Sequence, residues 1–340
     1  MSAALTEFEH AFFIGNYMSG ILYGVQLVMF FVTLRALFHS KNHWHSNSTS
    51  RSRFFFALYI TTLTLLLTID ITVNSVWGEK MWIEGRNGVG GVPGFIGTQT
   101  SVWYQTLGST SVVAMIFMGD ALLLFRLFVI YGSRFTIIVV PGLAYLAALA
   151  LAIIELVIAG EPGGNFFHGK AASFGVPYYA LTISLNVIVT LLICFRLWKL
   201  GSVVSKALGR ESAKMYTSVA SILVESAAPY SMVGLMFLVP YALGSGTAIG
   251  FGQVWAKLAC IAPSLIVLRV VTGRAWGRQV VTQAESGMEF GQGLRQQKGL
   301  STGVNVELHS RVHSEGNTTV NGNTSAAEKW NVSTKSFESR

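Results

Sequence analysis

The sequence predicts an all-α, polytopic membrane protein, a bundle of seven transmembrane helices followed by a disordered C-terminal tail. Three observations carry that prediction. Of 340 residues, 51% are hydrophobic and 12% charged, whereas a soluble domain carries about 25% charged residues. The apolar residues fall into seven runs, each long enough for the ~20 helical residues that cross a hydrocarbon core of about 30 Å. The charges collect between those runs, which leaves too little polar surface for an ordinary soluble enzyme.

The first span is placed at Ile14–Phe38. Residues 1–13 are expected to form a short extracellular N-terminus. Glu7 and Glu9 stand where a cleavable leader would be basic, so the first span is expected to act as its own insertion signal. Its Gly20 and Gly24 have the small-residue spacing that lets two helices approach closely, in packing or in dimerisation. The second span, Phe54–Trp77, carries Asp70 and Asn74, one turn apart. The third, Tyr104–Tyr131, carries Asp120 and Arg126. The fourth, Thr136–Ala159, has a ladder of Ala144, Ala148 and Ala152, and Glu155 near its end. The fifth, Val176–Trp198, ends on Arg196. The sixth, Tyr216–Tyr241, contains Glu225 and Pro229, and the seventh, Gly250–Val271, contains Lys257, Pro263 and Arg269. Short connections make consecutive helices antiparallel neighbours. Arg274, Trp276 and Arg278 suit an interfacial segment over 272–285. From 286 to 340 the chain is rich in Gly, Ser, Thr, Asn and Gln, which cannot bury enough surface to repay ordering.

The formal charge of +8 would suggest nucleic acid in a soluble protein. Here the basic residues sit at helix ends and face lipid headgroups, so no nucleic-acid partner is expected. Counting Lys and Arg gives one side Arg35, Lys41, Arg51, Arg53, Arg126 and further bases, and the other only Lys80, Arg86 and Lys170. By the positive-inside rule the rich side is cytoplasmic, with the N-terminus outside and the tail inside, in the plasma membrane or an endomembrane. The sequons at Asn47, Asn317, Asn323 and Asn331 fall on that same side, and their glycosylation would require the reverse topology. Cys194 and Cys260 both lie inside apolar runs, so no disulfide staples an external loop.

Ionisable groups inside a bilayer cost about 2.5–3.5 kcal/mol each on insertion scales and mark functional positions. There are five: Asp70, Asp120, Glu155, Glu225 and Lys257. With four acids to one base, some acids must be protonated, reach water or take a cation from an inner helix end. Glu225, near mid-depth by residue count, is expected to be protonated. Asp70 and Lys257 lie roughly 10 Å deep from the outer side at 1.5 Å per residue. An ion pair between them, with Asn74 beside it, would make a polar outer pocket, either a structural tie or a ligand or ion site. Asp120 and Arg126 are too far apart along one helix to pair. Arg126, Arg196 and Arg269 are expected as a ring at the inner helix ends, snorkelling to headgroups or acting as a switch. Pro229 and Pro263 each remove a backbone hydrogen bond and should kink the sixth and seventh helices.

No catalytic motif is present, so no enzyme activity, cofactor or metal is expected. His39, His43 and His45 could approach a metal, but no Cys or carboxylate joins them. Lys257 invites comparison with the retinal lysine of microbial rhodopsins, yet Gln253 stands where those have an aspartate one turn earlier.

The blocks Met118-Gly-Asp-Ala-Leu-Leu-Leu-Phe-Arg126, Ile222-Leu-Val-Glu-Ser-Ala-Ala-Pro-Tyr-Ser231 and Ile261-Ala-Pro-Ser-Leu-Ile-Val-Leu-Arg-Val270, followed by Gly273-Arg-Ala, resemble the seven-span integral membrane proteins abundant in mushroom-forming fungi. The resemblance covers about residues 14–278. It implies architecture and membrane residence, supplies no catalytic residues, and makes Asp120, Arg126, Glu225, Pro263 and Arg269 the positions that match the family pattern. The topology is also similar to that of G-protein-coupled receptors, without their Asp/Glu-Arg-Tyr, Asn-Pro-x-x-Tyr or external cysteine pair. The expectation is a receptor-like protein that senses a small or lipidic ligand and passes a helix rearrangement to a cytoplasmic signalling partner. The alternatives are a proton- or cation-coupled transporter using Asp120 and Glu225, and a membrane scaffold acting through its tail.

Overall fold

The computed structural model describes residues 3–39, 50–161, 169–208 and 210–271. They form α1 (Ala3–His39), α2 (Ser50–Ile83), a 3₁₀ turn (Gly85–Asn87), α3 (Gly91–Gln99), α4 (Trp103–Ile130), α5 (Phe135–Gly160), α6 (Gly169–Leu208), α7 (Arg210–Ala242) and α8 (Ala248–Val271). Seven of the eight α-helices, all but α3, are long and apolar enough to cross a membrane, and no strand occurs among the described residues. The chain is therefore a multi-pass membrane protein. A lipid-facing backbone must satisfy its own hydrogen bonds, which makes each apolar run a helix. The many hydroxyls are absorbed locally: Thr61, Thr64, Thr68 and Thr72 of α2 each donate to the carbonyl four residues earlier.

Several helices outrun the apolar runs that predict them. α1 begins at Ala3, so the expected N-terminal segment 1–13 is mostly helix. Its residues are good helix formers, and Phe12 is fully buried against Trp77 and Trp82. α6 starts before Val176 and runs past Trp198 for 40 residues, about 60 Å at 1.5 Å per residue, so it projects beyond a bilayer core. Its extension is held by Leu200 and Val204, which pack on Tyr216 of α7. The connection between α2 and α4, expected to be short, contains α3. Gly90 and Gly91 supply the left-handed turn into it, at φ +81° and +61°, and the Trp77 indole donates to the Gln99 carbonyl at its end, 3.0 Å away.

α8 contacts α1, α2, α4 and α7 and is the axis on which the bundle is assembled. The α1–α8 approach is close, backbone against backbone: a Cβ on Gly15 would lie 2.7 Å from Gly250 Cα, and one on Gly250 would lie 2.7 Å from the Ala11 carbonyl oxygen. The Gly20 and Gly24 pair singled out in the sequence faces open space instead. The alanine ladder of α5 does pack, with Ala148 and Ala152 buried beside Phe117 and Tyr178. Pro229 and Pro263 lie inside α7 and α8, which continue through them, and Pro141, Pro177 and Pro240 also sit within helices. Proline therefore does not set the sixth and seventh spans apart. His43, His45, the interfacial segment, the tail and all four sequons lie outside the described residues, as does the His39 side chain.

One buried polar tie had no counterpart in the sequence reading. Gln26 of α1 donates through Nε2 to Thr64 Oγ1 of α2 at 3.2 Å and to Ser264 Oγ of α8 at 3.0 Å. Gln26→Leu is expected to change stability by less than about 1 kcal/mol, because Thr64 and Ser264 keep their bonds to the Ile60 and Cys260 carbonyls and no donor is orphaned. Thermal unfolding of the purified variant checks this.

Candidate functional site

Asp70 faces inward from α2 and Lys257 from α8, and their helices bring the two charges together. Lys257 Nζ donates to Asp70 Oδ2 at 2.5 Å, and the side chains are 1% and 4% exposed. Asn74, one turn along α2, donates through Nδ2 to Asp70 Oδ1 at 2.8 Å and to the Asp70 carbonyl at 2.9 Å. Each carboxylate oxygen thus has a donor, the condition under which a buried ion pair is tolerated. The ion pair expected from matched depths is present, with Asn74 as its third member.

The pair lines a cavity of about 500 Å³ at the end of the bundle where α1 begins and α3 lies. That volume is in the range of small-molecule sites. Much of the wall is aromatic. Phe237 of α7 stacks on Trp255 of α8 with centroids 5.3 Å apart, and Tyr179 of α6 stands edge-on to Phe237, Tyr241 and Trp255 at 4.9, 5.2 and 5.6 Å. Behind this wall Tyr241 donates to Glu155 Oε1 at 3.1 Å. A Cβ on Gly175 of α6 would overlap both groups, so that glycine lets α5, α6 and α7 close on the buried Glu155 carboxyl. Gln105 Oε1 and both amide atoms of Gln253, also lining residues, have no hydrogen-bond partner in the structure. The site is therefore a mostly apolar chamber, internally charge-neutral, with spare hydrogen-bonding capacity.

Asp120 of α4 is buried but lies elsewhere, in a second chamber of about 20 Å³ walled by α4, α6, α7 and α8. Glu225, a polar-core candidate by its depth, is not in either cavity. Its side chain is 73% exposed on the outer face of α7, and it pairs with Arg269 of α8 at 3.6 Å. The helix rotation sets this: Leu223 and Ser226 take the inward positions on either side of it. Of the three ways an intramembrane acid can be accommodated, Glu225 takes a cation from a neighbouring helix end, and it shares no cavity with Asp120.

The three inner arginines have three different partners. Arg126 donates to the Ile266 carbonyl of α8 at 3.2 Å, Arg196 lies over the Tyr131 ring at 5.5 Å, and Arg269 pairs with Glu225. They clamp separate helix pairs instead of forming one shared ring. Sequence reasoning missed the aromatic wall and Gln253. Tyr230, Phe237 and Tyr241 do recur on one face of α7 at i, i+7 and i+11, a signal that a single apolar run conceals. Among the described residues no three His, Cys, Asp or Glu side chains gather as metal ligands.

No known protein family matches the chain, and no curated protein does. What the geometry defines is a multi-pass membrane protein whose described residues form seven long apolar helices around a chamber that carries a buried Asp70–Lys257 ion pair.

Proposed function

We propose that the protein is a receptor-like, non-enzymatic membrane protein whose cavity takes a small or lipidic ligand. The observation that carries this reading is the cavity itself, large enough for a small molecule, apolar over most of its wall, and holding a neutralised ion pair beside the unpartnered amide of Gln253. A chamber of that kind favours a neutral, largely apolar molecule with one hydrogen-bonding group, since a charged ligand would have to break the Asp70–Lys257 pair. The count of basic residues supports placing the cavity end outside and the Arg126, Arg196 and Arg269 end toward the cytoplasm. The resemblance to the fungal seven-span proteins agrees with residence in the plasma membrane or an endomembrane.

Signal transfer follows from the packing. α8 carries Gln253 and Lys257 in the cavity and, farther along, the Ile266 carbonyl that holds Arg126. A ligand that shifts α8 therefore acts on the inner clamp of α4, where a cytoplasmic signalling partner would read it. The transport alternative needs Asp120 and Glu225 on one path, and Glu225 lies on the outer face. The scaffold alternative concerns the tail over 286–340, outside the described residues.

The test is a thermal-shift screen of the protein in nanodiscs against sterols, fatty alcohols and terpenoids. Hits are expected to lose about tenfold in affinity in Gln253→Leu, the value of one or two hydrogen bonds, and to weaken in Val113→Phe, which narrows the chamber. Spin labels at the inner ends of α4 and α7 should move apart or together on binding. Tight binding that moves neither label, or accumulation of the ligand inside liposomes, would overturn the receptor reading.

A further inference from the structure

The chamber around Asp120 is a second site with its own chemistry. Its wall contains five oxygen-bearing side chains, Asp120 of α4, Asn186 and Thr190 of α6, and Ser226 and Tyr230 of α7. All five are at least nine-tenths buried. On α6 and on α7 the two oxygens stand four residues apart, so each helix presents both to the same side. Asn186 Oδ1, Thr190 Oγ1 and the Tyr230 hydroxyl have no hydrogen-bond partner in the structure. Only Ser226 is engaged, donating to the Leu223 carbonyl at 2.9 Å, which leaves its oxygen free to accept. No Lys, Arg or His lines the chamber. Arg126, the nearest cation along α4, is held by the Ile266 carbonyl.

Pro263 adds one more acceptor. A proline within a helix has no N–H for the carbonyl four residues earlier, here that of Ala259, and both residues line the chamber. The Ala259 oxygen lies 3.5 Å from the point where a Cβ would stand on Gly119 of α4, an ordinary contact distance that puts it against that helix. A buried carboxylate, several unpartnered oxygens and a released carbonyl form a shell of acceptors with no cationic side chain among them. Leaving such a set empty in a low-dielectric interior is unfavourable.

We propose that the Asp120 chamber binds a monovalent cation, with sodium the ion that fits. One carboxylate neutralises one positive charge, and a divalent ion would stay under-compensated among the apolar residues around it. A volume of about 20 Å³ admits roughly one water-sized body, so the ion enters without its hydration shell and the protein oxygens replace it. Backbone carbonyls freed from helical bonding serve this purpose in other membrane proteins. The bound ion ties α4 to α6, α7 and α8. Ile116 lines both this chamber and the larger cavity, so the two sites share a wall.

The test uses the full chain in nanodiscs, with thermal unfolding followed in equimolar NaCl, KCl and choline chloride. The unfolding temperature is expected to rise and saturate with NaCl, as binding to the folded state alone requires, to rise less with KCl, and to stay flat with choline chloride. Asp120→Asn is expected to fold and to lose the sodium-specific rise. The double variant Asn186→Leu/Thr190→Val, which keeps the carboxylate, is expected to need at least tenfold more sodium for the same rise. Equal shifts in NaCl and choline chloride, or a sodium-specific rise that survives in Asp120→Asn, would overturn the site and leave a water-filled chamber. Should Asp120→Asn fail to fold, an unchanged sodium response in the double variant overturns it equally.

Discussion

Replacing either partner of the Asp70–Lys257 pair alone should remove most of the folded protein. Asp70→Ala leaves the Lys257 ammonium, 1% exposed, facing an apolar wall, and Lys257→Ala leaves the carboxylate with only the Asn74 amide. Breaking a buried pair from one side costs about 3–5 kcal/mol, a large part of the roughly 5–15 kcal/mol that a folded protein has in reserve. The measurement is the monodisperse yield on size exclusion, followed by thermal unfolding of what survives. The double variant Asp70→Leu/Lys257→Met should recover most of that loss, because no uncompensated charge remains and the adjoining cavity can take the larger leucine. If both single variants fold as well as the parent, water from the adjoining cavity solvates the lone charge, and the pair is available to a ligand instead of serving as a tie. Recovery in the double variant without recovery of ligand binding would assign both roles to the pair.

The second large effect is expected at the α1–α8 contact. Gly250→Val puts three carbons where the Ala11 carbonyl oxygen is 2.7 Å from the first of them. That neighbour is backbone and cannot rotate away, so α1 must move off α8, with the loss of the Gln26–Ser264 bond that depends on the approach. Overpacking of this kind costs about 1–3 kcal/mol, and Gly15→Val, facing Gly250 from the other side, should match it. Gly20→Leu and Gly24→Leu, with nothing near them, should leave thermal stability within about 0.5 kcal/mol. The four melting curves test the assignment directly. A loss at Gly20 or Gly24 comparable to that at Gly250 would mean that a second copy of the chain covers that face.

The seven spans were legible because hydropathy adds up along the chain and needs no knowledge of neighbours. Asp70 and Lys257 were legible for a related reason, since depth follows from counting residues at 1.5 Å each and a lone charge in lipid must find a partner. Rotation about each helix axis was not legible. Most of these helices are apolar on every side, so periodicity does not say which face turns inward. That is why Glu225, at a depth suggesting the core, stands on the surface with Arg269, and why Gly20 and Gly24 were read as the contact that Gly15 and Gly250 make.

By itself the sequence determined the class of solvent the protein lives in and which stretches become its long apolar helices, both of which depend on transfer free energy counted residue by residue. Only the tertiary structure decided which groups meet. The Gln26 tie, the Tyr179, Phe237, Tyr241 and Trp255 wall, the Glu155 carboxyl under Gly175 and the oxygens around Asp120 each join helices distant in sequence. Their positions follow from how close two backbones can come, and a pair of glycines or a proline on one helix settles that only when the opposing surface is known.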